Sequence, residues 1–118
     1  MLKKKYRLKK YSAFNATYKI RNMVADDNMC IYFGKEKTNQ DITTKIAFVV
    51  SKKIHKRAVV RNRIKRLMRE SVRLQLKENK LEHLNKYLSV ICVAKKDSIG
   101  ADFSTIDSSL KQLFSRKA

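Results

Sequence analysis

The densest group of chemically capable side chains in this sequence lies between Ser51 and Arg73. The segment contains a single acid, Glu70, and neither Gly nor Pro. Its ten cationic residues are Lys52, Lys53, Lys56, Arg57, Arg61, Arg63, Lys65, Arg66, Arg69 and Arg73. Arginine is preferred along the second half, and its planar guanidinium group binds phosphate through two parallel hydrogen bonds. The residue types therefore indicate contact with a phosphate polymer.

The spacing of the same residues predicts an amphipathic helix from about Arg57 to Leu76. An apolar stripe recurs at helical spacing: Val60, Ile64, Leu67, Met68, Ser71 and Leu74. A second ridge carries a cation every four residues: Arg57, Arg61, Lys65, Arg69 and Arg73. Cations at this spacing repel each other, and a bound polyanion would relieve that cost. A solvated helix face is the alternative, but such faces usually mix Glu with Lys, so we interpret the helix as a nucleic-acid contact.

Composition favours the same kind of partner. The chain has 118 residues, a net charge of +19 and a pI of about 10.2, which favour nucleic acid or an anionic membrane. The longest apolar run, Ile46 to Val50, is too short to cross a bilayer, and no apolar stretch follows the basic N-terminus as a secretory signal requires. With no Pro and only Gly34 and Gly100, the sequence shows no linker, and residues 1–118 are expected to form a single RNA-binding domain.

Catalytic constellations are not apparent. The sequence has no nucleophilic triad and no Gly-rich phosphate loop, and its ten acids show no spacing suited to two-metal chemistry. Cys30 and Cys92 are far apart in apolar segments, which is typical of buried thiols in a reducing compartment. We therefore predict no catalytic residue and no direct metal ligand in this polypeptide.

The elements that must position the basic helix follow from the apolar pattern. Residues 1–11 form a basic arm that either frays or orders on phosphate. Ser12 is expected to cap a short helix from Ala13 to about Arg21, and residues 22–28 are expected to be a loop. Strands are predicted at residues 29–34 and 45–51, and the second is apolar on both faces, which is typical of a central strand covered on both sides.

After the basic helix, the pattern predicts a third strand at residues 88–94 and a last helix from Phe103 to about Ser115, capped by Asp102. Its apolar stripe is Phe103, Ile106, Leu110, Leu113 and Phe114. The strand–helix–strand order indicates a parallel pair joined by the basic helix. The expected fold class is α+β, in the order helix–strand–strand–helix–strand–helix around a small mixed sheet.

Aromatic residues offer a second candidate surface. Phe14 and Tyr18 are four residues apart and share one helix face, while Tyr32 points to the side of its strand opposite Ile31 and Phe33. Aromatic residues at this spacing usually belong to a core, and the alternative is a platform on which bases stack. The pattern alone leaves both interpretations open.

The segment A-V-V-R-N-R-I-K-R-L-M-R-E, preceded by S-K-K, closely resembles the protein component of bacterial ribonuclease P. The resemblance extends over nearly the whole chain, from Arg7-Leu8 and Phe14 to the last helix. Arg21 stands where many members of that family carry Gly. The resemblance implies a single-domain α/β sandwich with a left-handed strand–helix–strand crossover, like the second domain of a small-subunit ribosomal protein.

The resemblance also implies a function. A catalytic RNA would hold Mg²⁺ and remove the 5′ leader of precursor tRNA in the bacterial cytoplasm, with no membrane and no obligate protein partner. Contacts with the RNA subunit would come from Lys52, Lys53, Lys56, Arg57, Arg61, Asn62, Arg63, Lys65, Arg66 and Arg69, and the Asn62 region would help to organise RNA-bound Mg²⁺. Leader contacts would come from Phe14, Tyr18, Tyr32 and Phe48. The alternative, which charge and the basic arm alone motivate, is a non-enzymatic RNA-binding protein of the ribosome or nucleoid.

Overall fold

Four strands form one mixed sheet in the order β1-β2-β4-β3: β1 Asn22–Ala25, β2 Met29–Phe33, β3 Lys45–Val49 and β4 Ser89–Ala94. The structure is a computed structural model that describes residues 4–39 and 41–117, except the side chains of Lys4, Glu82 and His83. β2 pairs antiparallel with β1 and with β4, and β3 pairs parallel with β4. The parallel pair joined by the basic helix is therefore confirmed.

Three α-helices cover the sheet: α1 Tyr11–Ile20, α2 Ala58–Lys77 and α3 Phe103–Ser115. Short 3-10 turns occur at Lys4–Tyr6, Glu82–Lys86 and Lys96–Ser98. α2 and α3 pack against each other over one face of the sheet, and α1 contacts β2 and β4. None of the helices in the described ranges combines the length and apolarity that crossing a bilayer requires.

The core lies between the sheet and the α2–α3 pair. Because side chains alternate along a strand, Met29, Ile31 and Phe33 of β2 enter this core, whereas Tyr32 points to the α1 side. The helices contribute fully buried side chains to the same cluster: Ile64, Met68, Val72, Ile106, Leu110, Leu113 and Phe114. Both predicted amphipathic helices are thus confirmed, and their apolar stripes fix which sides remain exposed.

The N-terminal half of the chain differs from the prediction in two places. Residues 22–28 were expected to be a loop, but Asn22–Ala25 is β1, an edge strand of four residues. α1 begins at Tyr11 rather than Ala13, and Lys10, not Ser12, occupies the N-cap position without a capping side-chain hydrogen bond. The Asp102 cap of α3 is confirmed, because its Oδ1 accepts a hydrogen bond from the Thr105 N–H at 2.9 Å.

The prediction that residues 45–51 form a central strand is wrong. β3 lies at the edge of the sheet, next to β4, which is central. Its outer side is covered by the basic arm: Arg7 forms a parallel bridge with Ile46, and the Leu8 N–H donates to the Ile46 carbonyl at 2.9 Å. Part of the arm is therefore ordered against the sheet, while residues 1–3 lie outside the described residues.

The two cysteines are buried free thiols, as predicted. Cys92 lies in the core and Cys30 on the opposite face of the sheet, because their strands pair in adjacent register and side chains alternate. Burial raises the pKa of both thiols. At neutral pH they are therefore protonated and behave as small apolar side chains.

Candidate nucleic-acid interface

The cationic side chains of α2 face the solvent because the apolar side of the helix is packed in the core. Ile64, Met68 and Val72 are fully buried, and they set the rotation of the helix against the sheet and α3. None of the ten residues predicted to contact the RNA subunit is buried. Seven are exposed: Lys52, Lys53, Lys56, Arg57, Asn62, Arg63 and Arg66; three are partly exposed: Arg61, Lys65 and Arg69. The structure therefore brings all ten onto α2 and the turn that precedes it.

The positive charge of this helix is largely uncompensated. Among the described side chains, ion pairs join Arg73 to Glu70, Lys80 to Glu78 and Lys111 to Asp107. Arg73 also hydrogen-bonds Glu70 and lowers the pKa of that carboxyl. The arginines from 57 to 69 take part in none of these pairs, so their charge can attract an external polyanion.

Two arginines of the helix also hold local backbone in place. Arg61 Nη1 donates to the carbonyl oxygens of His55 and Lys56, at 3.0 and 2.7 Å, and so ties the preceding turn to α2. Arg63 Nη1 donates to the Ala101 carbonyl at 3.2 Å, just before α3. Because a guanidinium group has five donors, these bonds leave further N–H groups for a ligand while restricting side-chain rotation.

The second candidate surface lies on the α1 side of the sheet. The rings of Tyr18 and Tyr32 are 4.9 Å apart and nearly perpendicular. Thr17 fixes α1 above β4, because its hydroxyl donates to the Ala13 carbonyl at 2.7 Å and is hydrogen-bonded to the Ser89 hydroxyl at 2.5 Å. Burial raises the pKa of both tyrosines, which keeps the two phenols neutral.

Phe14 and Phe48 meet at a different place. Both line an open cavity of about 190 Å³ beside the edge of β3, with Arg7, Leu8, Lys9, Ile46, Ala47 and Arg69. Phe48 alternates with Ala47, lies on the same side of β3 as Ile46, and packs partly against the core. The four predicted leader residues therefore form two groups, the Tyr18–Tyr32 pair and the Phe14–Phe48 cavity, with Phe14 and Tyr18 joined through α1.

Sequence reasoning missed Met23 as part of this surface. It lies on β1 directly opposite Tyr32 and is 45% exposed. Register partners in antiparallel strands point to the same face, so the Met23 side chain lies on the Tyr32 side of the sheet, where its sulfur is 4.0 Å from Cys30 Sγ. Because the sequence predicts a loop over residues 22–28, Met23 is not assigned to a strand face. A strand of four residues is too short to show a clear alternation of apolar and polar side chains.

The side chains that the structure describes do not form a site for a divalent cation. Within the described ranges there is no group of three or more His, Cys, Asp or Glu residues placed to hold a metal ion. Apart from the Asn62 amide, the ten residues predicted to contact the RNA subunit offer only ammonium and guanidinium groups, whereas Mg²⁺ requires several oxygen ligands. The residues present thus do not fit a Mg²⁺ ion held by protein side chains alone.

A small α+β domain with a largely uncompensated arginine-rich helix and an adjoining aromatic surface belongs to the class of RNA-binding proteins. The family described as Ribonuclease P matches residues 2–118 of the chain. The chain therefore belongs to the ribonuclease P protein family, the protein subunits that act in tRNA 5′ processing.

Individual relatives agree with this assignment. The ribonuclease P protein component of Clostridium kluyveri is 36% identical over 111 residues, which cover 94% of this chain and 93% of the relative. That of Clostridioides difficile is 34% identical over 109 residues, covering 92% and 89%. The Staphylococcus aureus RNase P protein superposes with a TM-score of 0.74 at 29% identity, covering 94% of each chain. The predicted fold class and family are confirmed, and a ribosome-associated or nucleoid protein is not favoured.

Proposed function

We propose that the chain supports an RNA subunit that itself carries the catalytic step, the hydrolysis of one phosphodiester that releases the 5′ leader of precursor tRNA. The observation that carries the proposal is the uncompensated cationic side of α2, which suits a folded RNA backbone. The lack of a catalytic constellation in the sequence agrees with this division of labour. The proposed place of action is the bacterial cytoplasm.

The RNA-binding surface in this proposal is α2 with its preceding turn. Phosphate contacts by Arg and Lys position a protein on RNA without reading sequence, and A-form RNA is recognised mainly through its shape and backbone. The residues are the ten named above: Lys52, Lys53, Lys56, Arg57, Arg61, Asn62, Arg63, Lys65, Arg66 and Arg69. Mg²⁺ is assigned to the RNA, because a single amide oxygen, that of Asn62, among cationic groups cannot hold the ion, and the Asn62 region would help to organise ions that the RNA holds.

The leader-binding surface in this proposal is formed by Phe14, Tyr18, Tyr32 and Phe48. Stacking of a base on an aromatic ring contributes about 1–3 kcal/mol and makes little demand on sequence. Neutral phenols suit stacking because they do not repel the phosphates of the strand. A surface of this kind can accept leaders of different sequence.

Reconstitution tests this proposal. The chain is combined with a bacterial ribonuclease P RNA at low Mg²⁺, and cleavage of precursor tRNA is measured for protein alone, RNA alone and the complex. The expected result is faster cleavage and tighter binding by the complex than by RNA alone, and none by protein freed of RNA. No gain from the protein would contradict a supporting role, and cleavage by the RNA-free protein would place the chemistry in the chain.

Two variants separate the proposed surfaces. Arg63→Ala is expected to weaken binding of the RNA subunit more than it weakens discrimination between precursor and mature tRNA, because it removes a guanidinium group from α2. Tyr32→Ala is expected to do the reverse. Binding of each tRNA to the reconstituted complex measures discrimination, and a swapped pattern would show that the two surfaces are misassigned.

A further inference from the structure

Tyr11 is the most exposed large hydrophobic side chain among the described residues, with 81% of its surface accessible. It ends the basic arm in the sequence, but in the structure it is the first residue of α1. An aromatic ring costs free energy when it stands in water, and at this exposure it adds little to the packing of the fold. The role of Tyr11 is therefore sought in its position relative to the other aromatic rings.

The ring belongs to the aromatic side of α1. Tyr11 and Tyr18 are seven residues apart, which places them about 20° apart around the helix axis and about 10 Å apart along it. Phe14 lies between them, about 60° from Tyr11 around the axis. Tyr11, Phe14 and Tyr18 therefore form a row along one side of α1, and Tyr18, at the end of this row, contacts Tyr32 of β2.

Cations accompany the exposed end of this row. Lys9 and Lys10 directly precede Tyr11 and are exposed, and Lys10 is the N-cap residue of α1. Lys9 also lines the cavity that contains Phe14. Proteins bind single-stranded nucleic acid by stacking bases on aromatic rings while nearby cations contact the phosphates. Tyr11 and the two lysines offer this combination.

We propose that Tyr11 is an additional stacking site for a nucleotide of the single-stranded leader, placed at the end of the row remote from Tyr32. The inference rests on the proposed function, in which leader lies along α1. Tyr11 binds only the leaders that extend beyond Tyr18 and Phe14. The contribution of Tyr11 to affinity consequently depends on leader length, whereas that of Tyr18 does not.

Precursor tRNAs with leaders of increasing length test the inference on the reconstituted complex. Tyr11→Ala is expected to weaken binding of long leaders about five- to a hundredfold and to leave short ones unchanged. Tyr11→Phe retains the ring and is expected to retain the affinity. Ser12→Ala, at the next exposed position about 100° around the helix, is the matched control and is expected to have no effect.

A spectroscopic readout avoids dependence on cleavage. The chain contains no Trp, so Tyr11→Trp introduces a single indole whose fluorescence changes when a base stacks on it. The expected result is quenching by long leaders only, and no such change for Ser12→Trp. Thermal unfolding of each variant should match the parent chain, because the replaced side chains are exposed.

The outcomes distinguish this inference from the function on which it rests. If Tyr18→Ala weakens leader binding but Tyr11→Ala has no effect at any leader length, the site at Tyr11 is wrong and the proposed leader surface stands. If neither Tyr18→Ala nor leader length affects binding, both are wrong. A loss with Tyr11→Ala that is equal for short and long leaders also overturns the inference.

Discussion

Arg21 adopts a backbone conformation that ordinarily belongs to glycine. It follows α1 with φ 56° and ψ 26°, and its N–H donates to the Tyr18 carbonyl. A residue other than glycine is strained by about 1–2 kcal/mol in this left-handed region. Replacement by glycine removes that strain, but glycine loses more conformational entropy on folding, which offsets roughly half of the gain. Arg21→Gly is therefore expected to raise the free energy of unfolding by about 0.5–1 kcal/mol and the melting temperature by a few degrees.

Lys19→Gly is the matched control for this prediction. Lys19 is an exposed cation in the last turn of the same helix, where its backbone is helical. Glycine there is expected to lower stability by up to about 1 kcal/mol. If both substitutions destabilise the protein in chemical denaturation, the left-handed backbone at Arg21 is not a source of strain.

At the scale of elements, a polar network joins α2 to α3. The Ser71 hydroxyl donates to Asp107 Oδ1 at 2.6 Å, Gln75 Nε2 donates to the Ser71 oxygen at 2.9 Å, and Lys111 pairs with Asp107 at 2.9 Å. Partial burial acts to raise the pKa of Asp107, but hydrogen bonds from Ser71 and Lys111 outweigh it and the pKa is lowered from 3.8. This network holds the basic helix in its orientation on the sheet.

The lowered pKa of Asp107 predicts acid-sensitive stability. The unfolded chain takes up the proton first as pH falls, so the stabilisation is complete above about pH 5 and is lost as pH falls through the folded pKa, which lies below 3.8. Asp107→Asn keeps the shape but removes the charge, and is expected to cost about 1–2 kcal/mol at neutral pH. The difference in melting temperature from the parent chain should begin to shrink below about pH 5 and vanish below the folded pKa of Asp107.

Measurement of melting temperature against pH for the two proteins isolates the contribution of Asp107 and of its weak coupling to Glu78, because the other carboxyls titrate alike in both. Ser108→Ala, at an exposed neighbouring position of α3, should follow the parent curve throughout. A constant difference between Asp107→Asn and the parent chain at every pH would mean that the charge of Asp107 does not carry the effect.

The sequence predicts well those elements whose own pattern of apolar and polar residues shows which side is buried. α2 and α3 carry apolar stripes long enough to define their bounds, and Asp102 caps α3 as its type suggests. β1 has four residues between a left-handed Arg21 and the Asp26 turn, so its identity depends on pairing with β2 rather than on its own pattern. Hydrogen bonding to another strand cannot be recognised from the residues of the short strand itself.

The edge position of β3 shows the same limit. Its apolar residues reflect the core that α2 covers on one face and the burial of Ala47 on the other, not a central position in the sheet. In the candidate site, the residues of α2 could be predicted because one helix presents them all. The separation of Phe48 from the Tyr18–Tyr32 pair could not, since it depends on which strand lies at the edge.

At the scale of the whole molecule, the two candidate surfaces differ in the kind of side chain that they expose. Of the exposed large hydrophobic side chains among the described residues, Tyr11, Ile20 and Met23 lie on α1 and β1, whereas Val59 lies in the first turn of α2 and Ile42 in the loop before β3. Uncompensated guanidinium groups lie along α2, where carboxylates are scarce. A net charge of +19 would bind any polyanion, so the arrangement of the charges, rather than their sum, must give α2 its particular role.

That arrangement predicts how salt affects assembly with the RNA subunit. For each phosphate neutralised, the log–log slope of affinity against salt falls by about 0.7–0.9, so removing one contacting cation reduces the slope by roughly one. Arg66 is exposed on α2, whereas Arg73 is paired with Glu70. Arg66→Ala is therefore expected to reduce the slope, and Arg73→Ala, which removes the same side chain from the same helix, to change it much less. Titrations of the RNA subunit over a range of KCl concentrations measure both slopes, and equal reductions would show that the Glu70 pair does not screen Arg73 from the RNA.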